Sequence, residues 1–348
     1  MAKRWKQRPE GSTWGDFGDD DQLGRLNLLT EDKVREGIAE VQWGKTFCLS
    51  MPLDYPGGAV LNPRRHPPKL SPTLQDGCPC FNFPLSRLDG RNNDVLCDDQ
   101  VTLALQYSTQ WDSFAHVGSF FDTMGNGHLE KVYYNGFKAN EHVRGPVDYQ
   151  GSVNVPVDGP QHGAQALSIA NFARKCMQGR AVLVDLKKHF GLERTYVGYK
   201  ELTHVLERDS IAIRPGDMVV FRTGFTEVLM KMNRSPNKDI LDATGAVLDG
   251  RDAELLKWIT NAQVSALIAD NYAVEGLPAR ESTLGLRPSL PLHQHCLFKL
   301  GVPLAELWWL TDFADWMNAQ QRHAFLLTAP PLNLPGAVGS PASPVATV

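Results

Sequence analysis

The chain has 348 residues, 42% of them hydrophobic and 21% charged, with a formal net charge of −4. That composition is that of a soluble globular protein with enough chain for a large core in one or two domains. Without a long basic run it gives no support for a nucleic-acid partner, and no apolar run is long enough to span a bilayer.

The basic N-terminus leads into Pro9, Glu10 and Gly11 rather than an apolar signal core, so a cytoplasmic protein is expected. Its six cysteines then read as reduced thiols. Cys78 and Cys80 form a Cys-x-Cys without a second pair at zinc-site spacing. Residues 12–29 are rich in glycine and aspartate, and Asp19 to Asp21 read as a solvated turn. Thr30 caps a helix whose apolar positions Val34, Ile38 and Val41 keep helical spacing.

Residues 46–53 read as a strand. From 54 to 98 the chain is rich in Pro, Gly, Asn and Arg with little periodicity, and a loop of that length is usually functional. Within it Arg64, Arg65 and His66 are candidates for contacting a substrate or a partner subunit, with a solvated charged surface as the plain alternative. Val101 to Leu105 reads as a strand that ends at a polar cluster. Further on, Ser168 caps a helix expected to run to Gly179. Residues 181–186 and 217–225 have the apolar runs of strands buried on both faces, separated by a helix over 199–207.

A helix over 252–260 and a strand over 264–270 follow, the strand ending in Asp270 as either a site residue or a capping aspartate. Pro291 opens a short helix that Gly301 closes. The strand 303–310 carries Glu306 within an apolar run, where an unpaired carboxylate would be costly. Thr311 caps another helix, and 324–332 is the last strong strand. No internal repeat or clear linker is present. The reading is residues 1–45 as an N-terminal arm and helix, then a single catalytic domain over 46–348. Its class is α/β with a mixed, partly barrel-like sheet flanked by helices.

The chemistry concentrates in residues 106–116, Gln-Tyr-Ser-Thr-Gln-Trp-Asp-Ser-Phe-Ala-His. Asp112 and His116 are four apart and share a face if the chain turns helical there. Such a pair can ligate a metal, or the carboxylate can orient the imidazole as a general base. The segment resembles a degenerate form of the signature His-x-Gly-Thr-His-x-Asp-x-Pro-x-His. That signature belongs to the cyclase family of metal-dependent hydrolases, which includes kynurenine formamidase and isatin hydrolase. Thr109, Asp112 and His116 match it, Gln106 and Gln110 replace its first two histidines, and Ser108 and Phe114 replace its glycine and proline. The segments around Trp14, Gly216-Asp217 and Gly339-Ser340-Pro341 also resemble the family.

The resemblance implies a swivelling β/β/α fold, a homodimer or larger homo-oligomer, a small-molecule substrate and no nucleotide cofactor. It places the family's later glutamate at Glu306 and its partner histidine at Gln294, with His293 and His295 flanking that position. Three family histidines therefore read as glutamine, and an amide offers a metal only its oxygen. The expected centre is Asp112, His116 and Glu306. They act either as catalytic residues alone or as ligands of one divalent metal (Mn, Mg, Ca or Zn), with His293 or His295 as extra ligands. Gln106, Gln110, Gln294, Tyr107, Trp111 and Phe121 are the expected substrate contacts, and Phe120 adds to the aromatic surroundings. The implied reaction is hydrolysis of a C–N or C–O bond at a carbonyl (amide, lactam, lactone or ester) of an aromatic or cyclic substrate, with His116 as acid/base. The alternatives are a metal-free dehydratase, isomerase or cyclase working by proton transfer, and a non-catalytic binder on the same fold.

Overall fold

Three apolar runs, Gln178–Asp185 (β3), Met218–Arg222 (β4) and Ala266–Ala269 (β5), are buried almost throughout and lie parallel to one another. Strands with both faces covered need no polar alternation, which is why their sequences read as continuous Val, Leu, Ile and Ala. Leu304–Glu306 (β6) continues the parallel set beside β5. The computed structural model describes residues 3–146, 162–283 and 285–348.

Five antiparallel strands complete the sheet: Thr46–Cys48 (β1), Gln110–Asp112 (β2), Ala324–Thr328 (β7), Gly339–Pro341 (β8) and Val345–Thr347 (β9). The nine-stranded order is β1-β9-β7-β3-β4-β5-β6-β2-β8, a mixed sheet curled into a half-barrel and flanked by helices. The carboxyl ends of the parallel strands carry Asp185, Arg222, Asp270 and Glu306, and open α/β sheets place their ligands at that edge.

Several elements differ from the sequence reading, each for a local reason. The helix after Ser168 covers only Ala170–Arg174, because Cys176 and Met177 have positive φ and β3 already starts at Gln178. Thr311 is the first residue of the helix Thr311–Ala319 rather than its cap. The closing segment contributes two strands, β8 and β9, although its Gly, Ser and Pro content disguises them. Asp270 accepts hydrogen bonds from the amides of Thr223 and Gly224 and from Thr223 Oγ1, so it is a capping aspartate.

The helix Glu31–Ala39 (α1) is capped by Thr30 as expected, but it does not pack on an apolar stripe. Its buried residues are Lys33 and Gly37, while Ile38 is 56% exposed. Gly37 is needed because a Cβ there would lie 2.9 Å from the backbone of Gly179 and Arg180 in β3. Trp5 and Trp14 enter the same hydrophobic core as the sheet, and Trp14 Nε1 donates to the Phe298 carbonyl at 2.8 Å.

Residues 54–105 form no large element. Three small antiparallel ladders pair Lys69–Pro72 with Asp99–Thr102, Leu74–Gln75 with Cys78–Pro79, and Phe83–Pro84 with Val95–Leu96. The expected strand at 101–105 is thus the end of one exposed ladder. Leu70, Leu74, Phe81, Val95, Leu96 and Val101 of this excursion are all exposed. No helix among the described residues is long and apolar enough to cross a membrane.

Candidate active site

Pairing of β2 with β6 and β8 brings the central motif to Glu306. Strand alternation sends Gln110 and Asp112 to one face and Trp111 to the other. The chain does not become helical after Asp112; a single turn, with His116 N donating to Ser113 O at 3.0 Å, folds His116 back. His116 Nε2 then lies 4.0 Å from Asp112 Oδ2. Leu307, at φ 58°, ends β6 immediately after Glu306.

The fourth member comes from the segment Pro291–His293, which continues as a π-helix over Gln294–Leu300. The expectation counted twelve residues back from Glu306 to Gln294. The wider π turns absorb an additional residue, so the inward position is one earlier, at His293. His293 Nε2 lies 3.2 Å from Glu306 Oε1, and its Nδ1 lies 2.8 Å from Glu275 Oε1. One ligating atom each from Asp112, His293 and Glu306 falls within 4.8 Å of the others.

Glu275 is fully buried and also accepts from the amides of Leu292 and His293, both at 3.0 Å. It holds the start of the helix and the His293 ring together. Sequence reasoning passed over it, although a lone acid between Val274 and Gly276 is the same kind of signal as Glu306. Its turn is strained: Ala273 and Val274 have φ of 84° and 58°, and a β-branched residue rarely adopts positive φ.

The electrostatics follow from burial. Burial alone would lower the His293 pKa, but the hydrogen bonds and charges of Glu275 and Glu306 override it and raise the ring to about 10. Burial raises Glu306, yet the His293 contact outweighs it and holds this carboxylate below its usual range. Asp112 is pushed up by burial, helped by the Glu306 charge and opposed by His116. Three carboxylates against one imidazolium leave an excess of negative charge. Gln110 moderates it, with Nε2 donating to Glu306 Oε2 at 3.0 Å and to Asp112 Oδ1 at 3.4 Å.

Two buried oxygens at this centre, Gln110 Oε1 and Asp112 Oδ2, have no hydrogen-bond partner. Orphaned acceptors beside an excess of negative charge are what a cation would satisfy. Two carboxylates, one imidazole and an amide oxygen suit an oxygen-preferring divalent ion such as manganese or magnesium better than zinc. Cation and proton compete here, since the His293 nitrogen that would face a metal is the one paired with Glu306.

The remaining expected residues divide. Gln106 Nε2 is 3.3 Å from His116 Nδ1, and a Cβ on Gly339 would collide with the Gln106 side chain. Tyr107 Oη accepts from the Gly57 amide and donates to the Gly58 carbonyl, fixing the loop that precedes the site. Trp111 lies in the core, donating to the Ala329 carbonyl and stacking edge-on against Trp308, so it is not placed to touch substrate. Phe121 packs against Trp14 and Phe298, and Gln294 donates to Ser119 at 2.7 Å, both away from the centre. His295 Nε2 faces Thr260 at 3.0 Å and is not among the clustered ligand atoms.

The cyclase family model matches residues 49–276, a span that includes the whole 106–116 motif. The chain belongs to the cyclase family. A crystal structure described as a novel cyclase superposes with TM-score 0.73 at 28% identity, covering 97% of both chains. Isatin hydrolase A from Labrenzia aggregata, bound to benzyl benzoate, matches with TM-score 0.53 at 15% identity over 87% of this chain and 93% of its own. Isatin hydrolase A from Ralstonia solanacearum gives TM-score 0.51 at 15% identity over 87% and 91%. At those identities the isatin hydrolases share the fold. Among curated protein sequences none matches.

Proposed function

We propose that this cyclase-family protein hydrolyses a C–N or C–O bond at the carbonyl of a small cyclic or aromatic substrate. The observation that carries the reading is the gathering of Asp112, His116, His293 and Glu306 from three separate segments around two unpartnered buried oxygens. Asp112, Glu306 and His293, with Gln110 Oε1, would hold a divalent cation. When bound, that ion would polarise the carbonyl and acidify a water.

The chain's own chemistry centres on His116. The Gln106 amide places Nε2 3.3 Å from Nδ1; flipped end for end it presents its oxygen there instead, and in that orientation Nδ1 keeps its proton and the His116 Nε2 carries the lone pair that the base needs. A water within about 2.8 Å of both Nε2 and Asp112 Oδ2 fits the 4.0 Å separation of those atoms. As its oxygen attacks the carbonyl carbon, its proton passes to Nε2. Collapse of the tetrahedral adduct breaks the C–N or C–O bond, and Nε2 returns the proton to the leaving atom.

A second reading is favoured by the Gln110 amide. It already bridges both carboxylates, and together with the His293–Glu306 pair it forms a closed hydrogen-bonded set without an ion. That arrangement suits a dehydration, isomerisation or ring closure by proton transfer at His116. Elemental analysis with assays before and after chelation separates the two. Near-stoichiometric metal whose removal stops turnover supports the hydrolase, and metal-free, chelator-resistant turnover overturns it. In either case His116→Ala is expected to lose about 100-fold or more in rate while remaining folded; retained turnover would remove His116 from both.

We also propose a homo-oligomer. The exposed apolar residues of the 69–101 excursion, Leu88 among them, support it, since hairpins with so little core are marginal alone. Light scattering on the purified protein tests this, and a monomer at micromolar concentration would refute it.

A further inference from the structure

A narrow cleft of about 10 Å³, space for roughly one water, is lined by Asn62, Arg65, Gln106, Tyr107 and Tyr272 among others, and Gln106 links it to His116. Arg65 is the only charged residue lining it. One guanidinium nitrogen, Nη1, donates to the Gln106 carbonyl at 2.8 Å, which anchors the side chain next to the residue that contacts His116. The Arg65 charge also reaches Asp112 and Glu306, so the guanidinium stands close to the reacting centre. Among the described residues no carboxylate pairs with it, and the rest of its donor fork is available.

Tyr272 supplies a second donor. Asn62 Oδ1 accepts from the Arg64 amide at 3.1 Å, which fixes the orientation of the Asn62 side chain. Its Nδ2 therefore donates to Tyr272 Oη, at 3.2 Å. The phenol acts as acceptor in that bond, leaving its own proton to point into the cleft. Burial and the nearby Glu306 charge raise the Tyr272 pKa, so the phenol stays protonated. By contrast, Tyr107 in the same cleft spends its hydroxyl on the Gly57 and Gly58 backbone.

We propose that Arg65 and Tyr272 form a carboxylate-binding pincer, and that the substrate carries a carboxylate next to the bond that His116 attacks. The substrate part rests on the hydrolase reading; the pincer stands on the cleft itself. A guanidinium fork matches a carboxylate through two parallel N–H···O bonds, and the phenol adds a third donor. A centre with excess negative charge would otherwise repel an anionic substrate, so a fixed cation at its mouth decides which substrates enter.

The test measures binding of benzoate and of benzamide by calorimetry to the full-length protein and to Arg65→Gln, Arg65→Lys and Tyr272→Phe. The wild type is expected to prefer benzoate over benzamide by at least about 10-fold, with Arg65→Gln abolishing the preference and Tyr272→Phe weakening it several-fold. Arg65→Lys keeps the charge and loses the fork, so it should recover only part of the preference. Equal benzoate affinity in wild type and a folded Arg65→Gln overturns the pincer, as does complete recovery in Arg65→Lys, which would make Arg65 a mere counter-charge. Hydrolysis of 2-formamidobenzoate and of formanilide is assayed in parallel. Turnover of neither, with benzoate selectivity intact, defeats the formamide form of the hydrolase reading and leaves the pincer standing. Turnover of formanilide at least as fast as its carboxylated analogue defeats the substrate assignment.

Discussion

Two buried clusters of charge sit on this sheet, and they are built on opposite principles. Where α1 meets β3, Asp217 is fully buried and both its oxygens are engaged. Lys33 Nζ lies 3.2 Å from Oδ1, while Arg180 and the Arg214 amide bind Oδ2. Arg180 continues to Glu40 at 2.9 Å, and Lys33 to Glu36 at 2.9 Å. Arg214 also pairs with Glu36 and Arg322 with Glu40, so every carboxylate there meets at least two cations. Around β2 and β6, carboxylates outnumber cations and two buried oxygens have no partner. A cluster that serves only packing closes its accounts internally, because an unmatched buried charge costs several kcal/mol. The open cluster at Asp112 is tolerable only if something outside the chain completes it: a proton, an ion or a substrate.

The sharpest way to break the comparison is to neutralise one carboxylate in each cluster. Glu306→Gln removes a charge from the cluster that has too many, so unfolding free energy should change by no more than about 1 kcal/mol while turnover falls about 100-fold or more. Asp217→Asn strands Lys33 and Arg180 in the core and should cost about 3–5 kcal/mol, with the specific activity of the remaining folded protein unchanged. Denaturant titration and a rate assay on both variants decide it. A large loss of stability in Glu306→Gln, or a large loss of specific activity in Asp217→Asn, would mean the two clusters do not differ in kind.

The two clusters also differed in how visible they were. The parallel strands β3, β4 and β5 announce themselves through unbroken apolar runs, and Glu306 through its intrusion into one. Asp112 and His116 were legible because the cyclase motif carries them, although their contact comes from a turn and not from helical spacing. The pairing of Lys33 with Asp217 spans 184 residues and had no local sign, since its packing depends on Gly37 having no side chain. The family spacing points to Gln294 and leaves His293 and His295 as the flanking choices; of the two, His293 joins the cluster, and the π-helix that follows it leaves no periodic trace in seven residues. Trp111 looked like a substrate contact by proximity in sequence. In a strand, adjacency puts a residue on the opposite face, and so into the core.

Glu275 gives the last and smallest test, because it belongs to the open cluster yet is itself fully satisfied. Its carboxylate fixes the His293 Nδ1–H, which turns Nε2 toward Glu306 and Asp112. Gly250 lies so close to the Glu275 carboxylate that a side chain there would displace it. In Glu275→Gln the amide oxygen can still accept from the His293 ring and amide, but the amide nitrogen then meets the Leu292 N–H, donor against donor. The ring should lose its fixed orientation, and manganese affinity measured by calorimetry should fall about 10- to 100-fold. The imidazole 15N spectrum of His293 should show exchange between tautomers. If Glu275 served only to start the helix at Pro291, the variant would lose stability while the 15N pattern and the affinity of its folded fraction stayed as in the wild type. Glu275 would then belong with Asp217, among the residues whose charge is fully used in holding the fold.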